Sequence, residues 1–407
     1  MSSFTLAGSE QSVSDASRNR KSNYALTYLP AIDGLRGLAV LLVVWYHTPF
    51  LFTHVTALHE GVFWRMSTAG WIGVDLFFVV SGFLITSILL RITEIEGSLL
   101  VFWYRRGLRI LPLAMLYLSI LYLNTALHDP IRILNNFDAW APYFFYMGNL
   151  HIAINGWQPI VVMILWSLAV EEQFYILWPV LVHYLTRRNL LIFSGMIIAL
   201  SPLARHFIDQ TAGYPAVYVL TICRLDALAA GAVLAVLISS EVWKKQATFW
   251  CRKLAPLALA VFLMTFIVPF GPSFPNTRPS YFTMFGYTWI AIALAILVGA
   301  SVTCSGWVRS VLGSRILIFV GKRCYGFYLW HSLVAAVVKK LVTALSFHIG
   351  FYGIIAIWLI CLPVVVSISW YIFERPILNL KRLCSYPNQP KAPVFPPGTQ
   401  LARINST

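Results

Sequence analysis

Long apolar stretches recur along the whole chain, and each is close to the length of a helix that crosses a bilayer. Such a crossing needs roughly 20 predominantly apolar residues. The chain has 407 residues, of which 59% are hydrophobic and only 11% are charged, and its mean hydropathy is +0.74. A soluble domain of this length does not have this composition. The sequence therefore predicts an all-α, polytopic membrane protein.

The apolar stretches predict about ten transmembrane helices. Lys and Arg concentrate in alternate loops and in both terminal segments, as the positive-inside rule requires of cytoplasmic segments. We therefore expect both termini in the cytoplasm, and the net charge of +15 needs no nucleic-acid partner. The predicted spans are 32–53, 71–91, 106–127, 160–185, 189–206, 216–239, 254–270, 283–304, 324–345 and 350–373.

Three segments are expected. Residues 1–27 form a polar, Ser-rich cytoplasmic tail that lacks the apolar core of a removable signal peptide. Residues 28–384 form the transmembrane domain, and residues 385–407 form a Pro-rich, disordered cytoplasmic tail. We expect no soluble second domain. The six cysteines include no CxxC pair, so neither a disulfide nor a metal site is predicted.

One apolar segment, 139–154, does not fit the series because it is short and is interrupted by Pro142 and Gly148. A crossing here would invert every later loop and place the basic loops outside. We therefore interpret it as an interfacial or re-entrant piece on the outer face.

The first predicted span carries three ionisable residues, Asp33, Arg36 and His47. Arg36 and His47 are about three helical turns apart, so they share a face and lie roughly 16 Å apart along the axis. Ionisable groups inside a membrane usually face a cavity or a partner. The spacing favours a polar channel with one group at each end. The alternative is that Arg36 reaches lipid phosphate and His47 bonds a nearby backbone carbonyl.

The second span places Asp75 about one turn from its outer end. Counting the rise per residue gives Asp75 and His47 similar depths. This predicts an Asp75–His47 pair in which the carboxylate orients the imidazole. The alternative is a hydrogen bond of Asp75 within its own helix.

An arginine cluster, Arg105, Arg106 and Arg109, begins the third span at its cytoplasmic end. Guanidinium groups bind phosphate in bidentate fashion, so the cluster can clamp a polyphosphate. The alternative is that the arginines are topology signals only.

Adjacent carboxylates lie near the middle of the fourth span, at Glu171 and Glu172, and Tyr175 shares the face of Glu171. Such carboxylates need a cation, protonation or water. Arg224 of the sixth span, which also carries Asp226, is the expected partner, and the bridge can be purely structural. In the ninth span Tyr328 and His331 share a face, with His331 in the cytoplasmic half; a lone histidine of this kind is often a satisfied core residue.

The ordered set of motifs resembles acyltransferase family 3, the integral-membrane acyltransferases of bacterial surface glycans. The resemblance covers residues 28–376. It is carried by Arg36 and His47 with ten residues between them, followed in order by GVDLFFVVSGFLI, YRRGLRILP, WSLAVEEQFYILWP, RLDAL and YGFYLWH.

The resemblance implies ten spans, cytoplasmic termini and an acyl-coenzyme A donor used from the cytoplasm. It also implies that His47 is the essential catalytic residue and that Arg36 and the arginine cluster serve the donor. Many family members carry a soluble hydrolase-like domain after the membrane part. We expect none here, which leaves open a separate periplasmic transferase as a partner.

We therefore predict a multi-pass O-acyltransferase of the bacterial inner membrane, specifically an O-acetyltransferase. It would use acetyl-coenzyme A (acetyl-CoA), or another acyl-CoA, and no metal. Its acceptor would be a hydroxyl of a lipid-linked or exported glycan such as lipopolysaccharide or exopolysaccharide. The rival class is a proton-coupled transporter or glycan flippase that uses the same intramembrane charges. The expected catalytic residues are His47, Asp75 and Glu171; the donor-binding residues are Arg36, Arg105, Arg106, Arg109 and His331; the supporting residues are Glu172, Tyr175, Arg224, Asp226 and Tyr328.

Overall fold

The computed structural model describes residues 29–52, 66–93, 95, 97–128, 137–267, 281–303, 307–345, 349–384 and 386. The two predicted tails, 1–27 and 385–407, lie outside these residues except for Tyr386. All regular elements of the described part are helices, which confirms the all-α prediction. In chain order the α-helices are α1 (Pro30–Phe52), α2 (Ile72–Ile92), α3 (Ser98–His128), α4 (Phe137–Phe144), α5 (Gly148–Asn155), α6 (Ile160–Met163), α7 (Leu165–Tyr184), α8 (Arg187–Thr211), α9 (Ala216–Val219), α10 (Thr221–Ser239), α11 (Lys244–Ile267), α12 (Tyr287–Thr303), α13 (Trp307–Leu312), α14 (Arg315–Lys322), α15 (Cys324–Ala344), α16 (Phe351–Ser369) and α17 (Arg375–Asn379). Four short 3₁₀ or π segments adjoin them: Thr68–Trp71, Phe282–Gly286, Trp370–Glu374 and Leu380–Arg382.

Nine helical segments of the described part are long and apolar enough to cross a membrane. They correspond to the second to tenth predicted spans. The predicted boundaries differ most in α3, which begins eight residues before position 106, and in α11, which begins ten residues before position 254. Arginines and lysines near these starts indicate loops in the sequence, whereas the basic side chains lie within the first three to four turns of the helices.

The first predicted span is a continuous helix, α1, but it is not among these nine. Many of its side chains are buried against neighbouring helices. Short helices α4 and α5 replace a crossing at 139–154, in agreement with the prediction that this segment does not span. Which side of the membrane it faces remains a prediction.

The centre of the bundle is built around α1 and α2. Helix α1 packs on α2, α14 and α15, and α2 makes its most extensive contact with α10. Small residues permit these close crossings, as is common between membrane helices. A side-chain carbon added at Gly231 of α10 would overlap the carbonyl oxygen of Val79, and one added at Gly82 of α2 would overlap that of Leu228. The two helices therefore touch backbone to backbone, which fixes the residues that they carry.

Gly231→Ala is expected to destabilise the protein, because the new methyl group must push α10 away from α2. Overpacking of this kind costs about 1–3 kcal/mol. Gly195→Ala in α8 is the matched control, since nothing lies within 4 Å of the added carbon and alanine favours the helix. The measurement is thermal unfolding of both purified variants in detergent. Equal melting temperatures would show that the α2–α10 crossing tolerates separation.

Candidate active site

Two histidines from different helices meet inside the bundle. His331 Nε2 of α15 lies 3.0 Å from His47 Nδ1 of α1, and the two rings stack with centroids 5.0 Å apart. Both side chains are buried, with exposures of 6% for His47 and 0% for His331. The tryptophan Nε1 of Trp358 donates to the His331 carbonyl oxygen at 2.9 Å. His331 was expected in the cytoplasmic half with the donor-binding residues; the structure instead places it beside His47.

The hydrogen bonds around this pair determine where the protons lie. His331 Nδ1 is 2.6 Å from the carbonyl oxygen of Tyr328, and a carbonyl only accepts, so this nitrogen carries a proton. In neutral His331 the other nitrogen, Nε2, carries no proton, so it accepts a hydrogen bond from the protonated Nδ1 of His47. Neutral His47 is consequently left with its lone pair on Nε2. That nitrogen is able to accept a proton from a substrate.

Asp75 does not pair with His47, contrary to the prediction. Its Oδ1 accepts a hydrogen bond from Arg224 Nη2 at 2.5 Å, and both side chains are buried. Arg224 was expected to bridge Glu171 or Glu172, and that prediction is also wrong. The Arg224 guanidinium further contacts the faces of Tyr287, at 4.5 Å from the centroid, and Tyr218, at 5.1 Å.

A second buried ion pair accompanies the first. Arg205 Nη1 of α8 donates to Asp226 Oδ2 at 2.9 Å and to the Cys223 carbonyl oxygen at 2.6 Å. Thr288 donates to the same carboxylate oxygen at 2.6 Å. Asp226 was grouped with Arg224, but its partner is Arg205, which our sequence analysis did not single out. The position of Arg205 near the end of a predicted span concealed its burial.

One cavity, the arginine cavity, is lined by three of the predicted donor-binding residues. Arg36 of α1 and Arg106 and Arg109 of α3 converge on it. Arg36 Nη1 lies 4.0 Å from Asp33 Oδ1, which is the longest separation that counts as an ion pair. The guanidinium carbon of Arg106 lies over the Tyr175 ring, 4.0 Å from its centroid. The other lining residues are Val74, Phe77, Phe78, Ser81, Ile110, Ser167, Leu168, Glu171, Cys324, Tyr325 and Tyr328.

Arg105 is not among the lining residues of the arginine cavity. Its guanidinium instead lies over the ring of Tyr386, 5.2 Å from the centroid. Arg105 and Arg106 are consecutive, so their side chains leave α3 about 100° apart and face different surroundings. The structure thus divides a cluster that the sequence presents as one unit.

Glu171 lies in the wall of the arginine cavity, where its Oε1 accepts a hydrogen bond of 2.6 Å from Ser81. The neighbouring Glu172 is buried at 8% exposure and is absent from that lining. Arg106 lines the same cavity as Glu171, although no ion pair within 4 Å joins an arginine to either glutamate in the described part of the chain. Arg106 of α3, and not the predicted Arg224, is thus an arginine that shares a cavity wall with Glu171.

A second cavity, the histidine cavity, has a volume of about 330 Å³ and includes His47 in its wall. Among the described residues its lining contains no Lys, Arg, Asp or Glu, and six of the eleven lining residues are Tyr or Trp. The lining residues are Tyr46, His47, Trp71, Val74, Trp157, Gln158, Ile160, Met163, Trp166, Tyr218 and Tyr328.

Two residues, Val74 and Tyr328, belong to the walls of both cavities. The Tyr328 hydroxyl donates to the Ile164 carbonyl oxygen at 2.6 Å and lies 2.6 Å from Ser167 Oγ, from which it accepts. Tyr328 is thus held firmly at the junction. The arrangement joins a cationic compartment to an uncharged aromatic one, with the histidine pair beside the second.

The described residues contain no group of three or more His, Cys, Asp and Glu that could hold a metal ion. Five cysteines, Cys223, Cys251, Cys324, Cys361 and Cys384, are free thiols; Cys304 lies outside the described residues.

The fold and the two cavities define a class: an all-helical, polytopic membrane protein in which a cationic cavity and an aromatic cavity share the wall residues Val74 and Tyr328. The sequence matches acyltransferase family 3, described as an acyltransferase domain, over residues 29–374. The chain therefore belongs to this family, as the motifs predicted.

Several bacterial proteins are similar to the chain. It is 30% identical over 336 residues to "Peptidoglycan O-acetyltransferase OatA" of Listeria monocytogenes, covering 77% of this chain and 50% of the relative. It is 30% identical over 377 residues to "Putative peptidoglycan O-acetyltransferase YrhL" of Bacillus subtilis, covering 86% and 55%. The identity to "Putative O-acetyltransferase SACOL0978" of Staphylococcus aureus is 31% over 333 residues, covering 77% and 52%. The chain spans about half the length of these relatives. The comparison with solved structures found no match.

Proposed function

We propose that this protein is an O-acetyltransferase of the bacterial cytoplasmic membrane. It moves an acetyl group from cytoplasmic acetyl-CoA to a hydroxyl of a lipid-linked or exported glycan. The observation that carries the proposal is the meeting of the arginine cavity and the histidine cavity at Val74 and Tyr328. A donor that carries phosphate groups suits the arginine cavity, and an uncharged acceptor suits the histidine cavity. Transfer of the acetyl group requires the two cavities to meet at one point.

The donor would bind from the arginine cavity. Arg36, Arg106 and Arg109 supply guanidinium donors for the nucleotide phosphates. The arginine cavity has a volume of about 50 Å³, so the surrounding helices would have to move apart to admit the pantetheine arm. The apolar remainder of the wall would then guide the arm, which would carry the thioester towards Tyr328. Binding the phosphates at one end leaves the acetyl group at the junction of the cavities.

The histidine pair would supply the base. The Nε2 lone pair of His47 removes the proton from an acceptor hydroxyl, and the resulting oxygen attacks the thioester carbonyl. The carbon–sulfur bond breaks, and the coenzyme A thiolate takes the proton from the His47 imidazolium. Direct transfer in this way forms one ester and one thiol for each thioester consumed.

The names of the relatives suggest acceptors to test. Two of them are named peptidoglycan O-acetyltransferases, so a cell-wall glycan joins lipopolysaccharide and exopolysaccharide among the candidates. A separate periplasmic transferase remains a possible partner for delivery to the final polymer.

Purified protein in lipid vesicles tests the function. Radiolabelled acetyl-CoA supplied on the cytoplasmic side should label an acceptor glycan on addition of active protein, and free coenzyme A should appear in equal amount. The rival transporter or flippase would move glycan or protons without consuming acetyl-CoA. Transport with no thioester cleavage would overturn the proposal.

His331 is expected to act as a positioning residue, because its Nε2 holds the proton of His47 on Nδ1. In His331→Gln the amide oxygen can still accept a hydrogen bond from His47 Nδ1. The side chain of His331→Leu has a similar size but no acceptor. We expect His331→Leu to lower kcat about ten- to a hundredfold, as the loss of a buried hydrogen bond would. His331→Gln should recover much of that loss, with the KM for acetyl-CoA unchanged in both. Equal kcat values for the two variants would indicate a packing role only.

A further inference from the structure

The histidine cavity has a lining that differs in kind from the arginine cavity. Six of its described wall residues are Tyr or Trp, and none of the described wall residues is Lys, Arg, Asp or Glu. The described part of the wall therefore offers no Lys or Arg to the phosphate groups of the donor. Aromatic faces carry partial negative charge and attract the weakly positive C–H groups on the face of a sugar ring. The six aromatic residues are Tyr46, Trp71, Trp157, Trp166, Tyr218 and Tyr328.

The size of the cavity fits a single ring. Its volume of about 330 Å³ is at the lower end of the range for small-molecule sites. A sugar needs hydrogen-bonding groups at its edge and apolar contact on its faces. His47 and Gln158 provide polar groups in the wall, and Gln158 has both a donor and an acceptor in its carboxamide.

Trp157 differs from the other wall residues in its exposure. It lies in the connection between α5 and α6, and 42% of it is exposed. Its ring lies 5.9 Å from Tyr214 and 6.1 Å from Tyr218 between centroids, in tilted contacts. Gly156 precedes it with a φ of 79°, and Gln158 Nε2 donates back to the Gly156 carbonyl oxygen at 3.1 Å. The turn thus holds a large aromatic face at the cavity without burying it.

We propose that the histidine cavity binds one pyranose ring of the acceptor glycan, with Trp157 as the stacking platform and Gln158 as a hydrogen-bonding partner. This inference rests on the proposed acetyl transfer, and it names the site that selects the acceptor. The ring would lie with one hydroxyl directed at His47. The neighbouring sugars of the chain would extend from the exposed side of Trp157.

The test uses the full-length protein in native membrane vesicles with radiolabelled acetyl-CoA and increasing amounts of added deacetylated glycan. Trp157→Ala should raise the glycan concentration at half-maximal rate about tenfold, as the loss of an aromatic contact would. Trp157→Phe, which keeps a smaller aromatic face, should raise it less. The KM for acetyl-CoA should remain unchanged in both variants.

Trp289→Ala is the matched control, because Trp289 of α12 is 64% exposed and does not line the cavity. A melting temperature of Trp157→Ala equal to that of Trp289→Ala would show that folding is intact. If the wild-type protein transfers acetyl groups and Trp157→Ala has the acceptor dependence of Trp289→Ala, the sugar site is wrong. If the wild-type protein itself consumes no acetyl-CoA, the proposed function fails instead.

Discussion

His47→Gln is expected to reduce acetyl transfer by about two to four orders of magnitude, the range typical of a lost general base. Glutamine keeps a similar size and can still donate a hydrogen bond to His331 Nε2, which lies 3.0 Å from His47 Nδ1 in the native protein. It lacks the basic nitrogen. Folding and donor binding should therefore survive while proton removal is lost.

The measurement is the initial rate of label transfer from acetyl-CoA to glycan, alongside the binding of acetyl-CoA at equilibrium. Tyr46→Phe is a useful comparison, since Tyr46 lines the same cavity and has no assigned part in proton transfer. A rate near that of the wild-type protein for His47→Gln would remove His47 from the mechanism and leave His331 as the candidate base.

Arg109→Ala is expected to weaken acetyl-CoA binding about ten- to a hundredfold. A hydrogen bond to a charged group contributes about 1.5–3 kcal/mol, and each 1.4 kcal/mol corresponds to about tenfold in affinity. Arg109→Lys keeps the charge but loses the planar pair of donors, so its affinity should fall between those of the wild type and the alanine variant.

Arg105→Ala provides the comparison for this effect within the same helix. Arg105 is also an arginine of the YRRGLRILP motif, but its side chain contacts Tyr386 and is absent from the arginine cavity. We expect the smaller loss of affinity at Arg105. Equal losses at Arg105 and Arg109 would show that binding depends on the total charge of the cluster, without a defined site.

The sequence was sufficient to single out several of the buried polar groups, among them His47, Asp75 and Arg224, but not how they pair. The helical period places Arg36 and His47 on one face of α1, and the structure finds them in the walls of two adjoining cavities. The predicted Asp75–His47 pair rested on depth alone. Depth is estimated from the rise per residue, which gives no information about the direction in which a helix faces its neighbours.

The contact between His331 and His47 was also not predictable from depth in the membrane. Its position in the ninth span suggested a different depth from that of His47, yet their nitrogens are in hydrogen-bond contact. Membrane helices tilt, so residues at unequal distances from their helix ends can meet. Arg205 was missed because a basic residue near the end of an apolar stretch is also a common topology signal. Its partner Asp226 lies on another helix, and only the packed bundle brings the two together.

The position of Tyr328 between the two cavities bears on the proton gradient across the membrane. A protein with a polar compartment towards each face of a membrane risks letting protons leak down the electrochemical gradient. Tyr328 is fixed by the Ile164 carbonyl oxygen and Ser167, and with Val74 it separates the two compartments. In the proposed transfer, the acyl group would pass from donor to acceptor beside these two residues, and their side chains would keep continuous water out. The same side chains that bring donor and acceptor together would thereby preserve the membrane as an insulator.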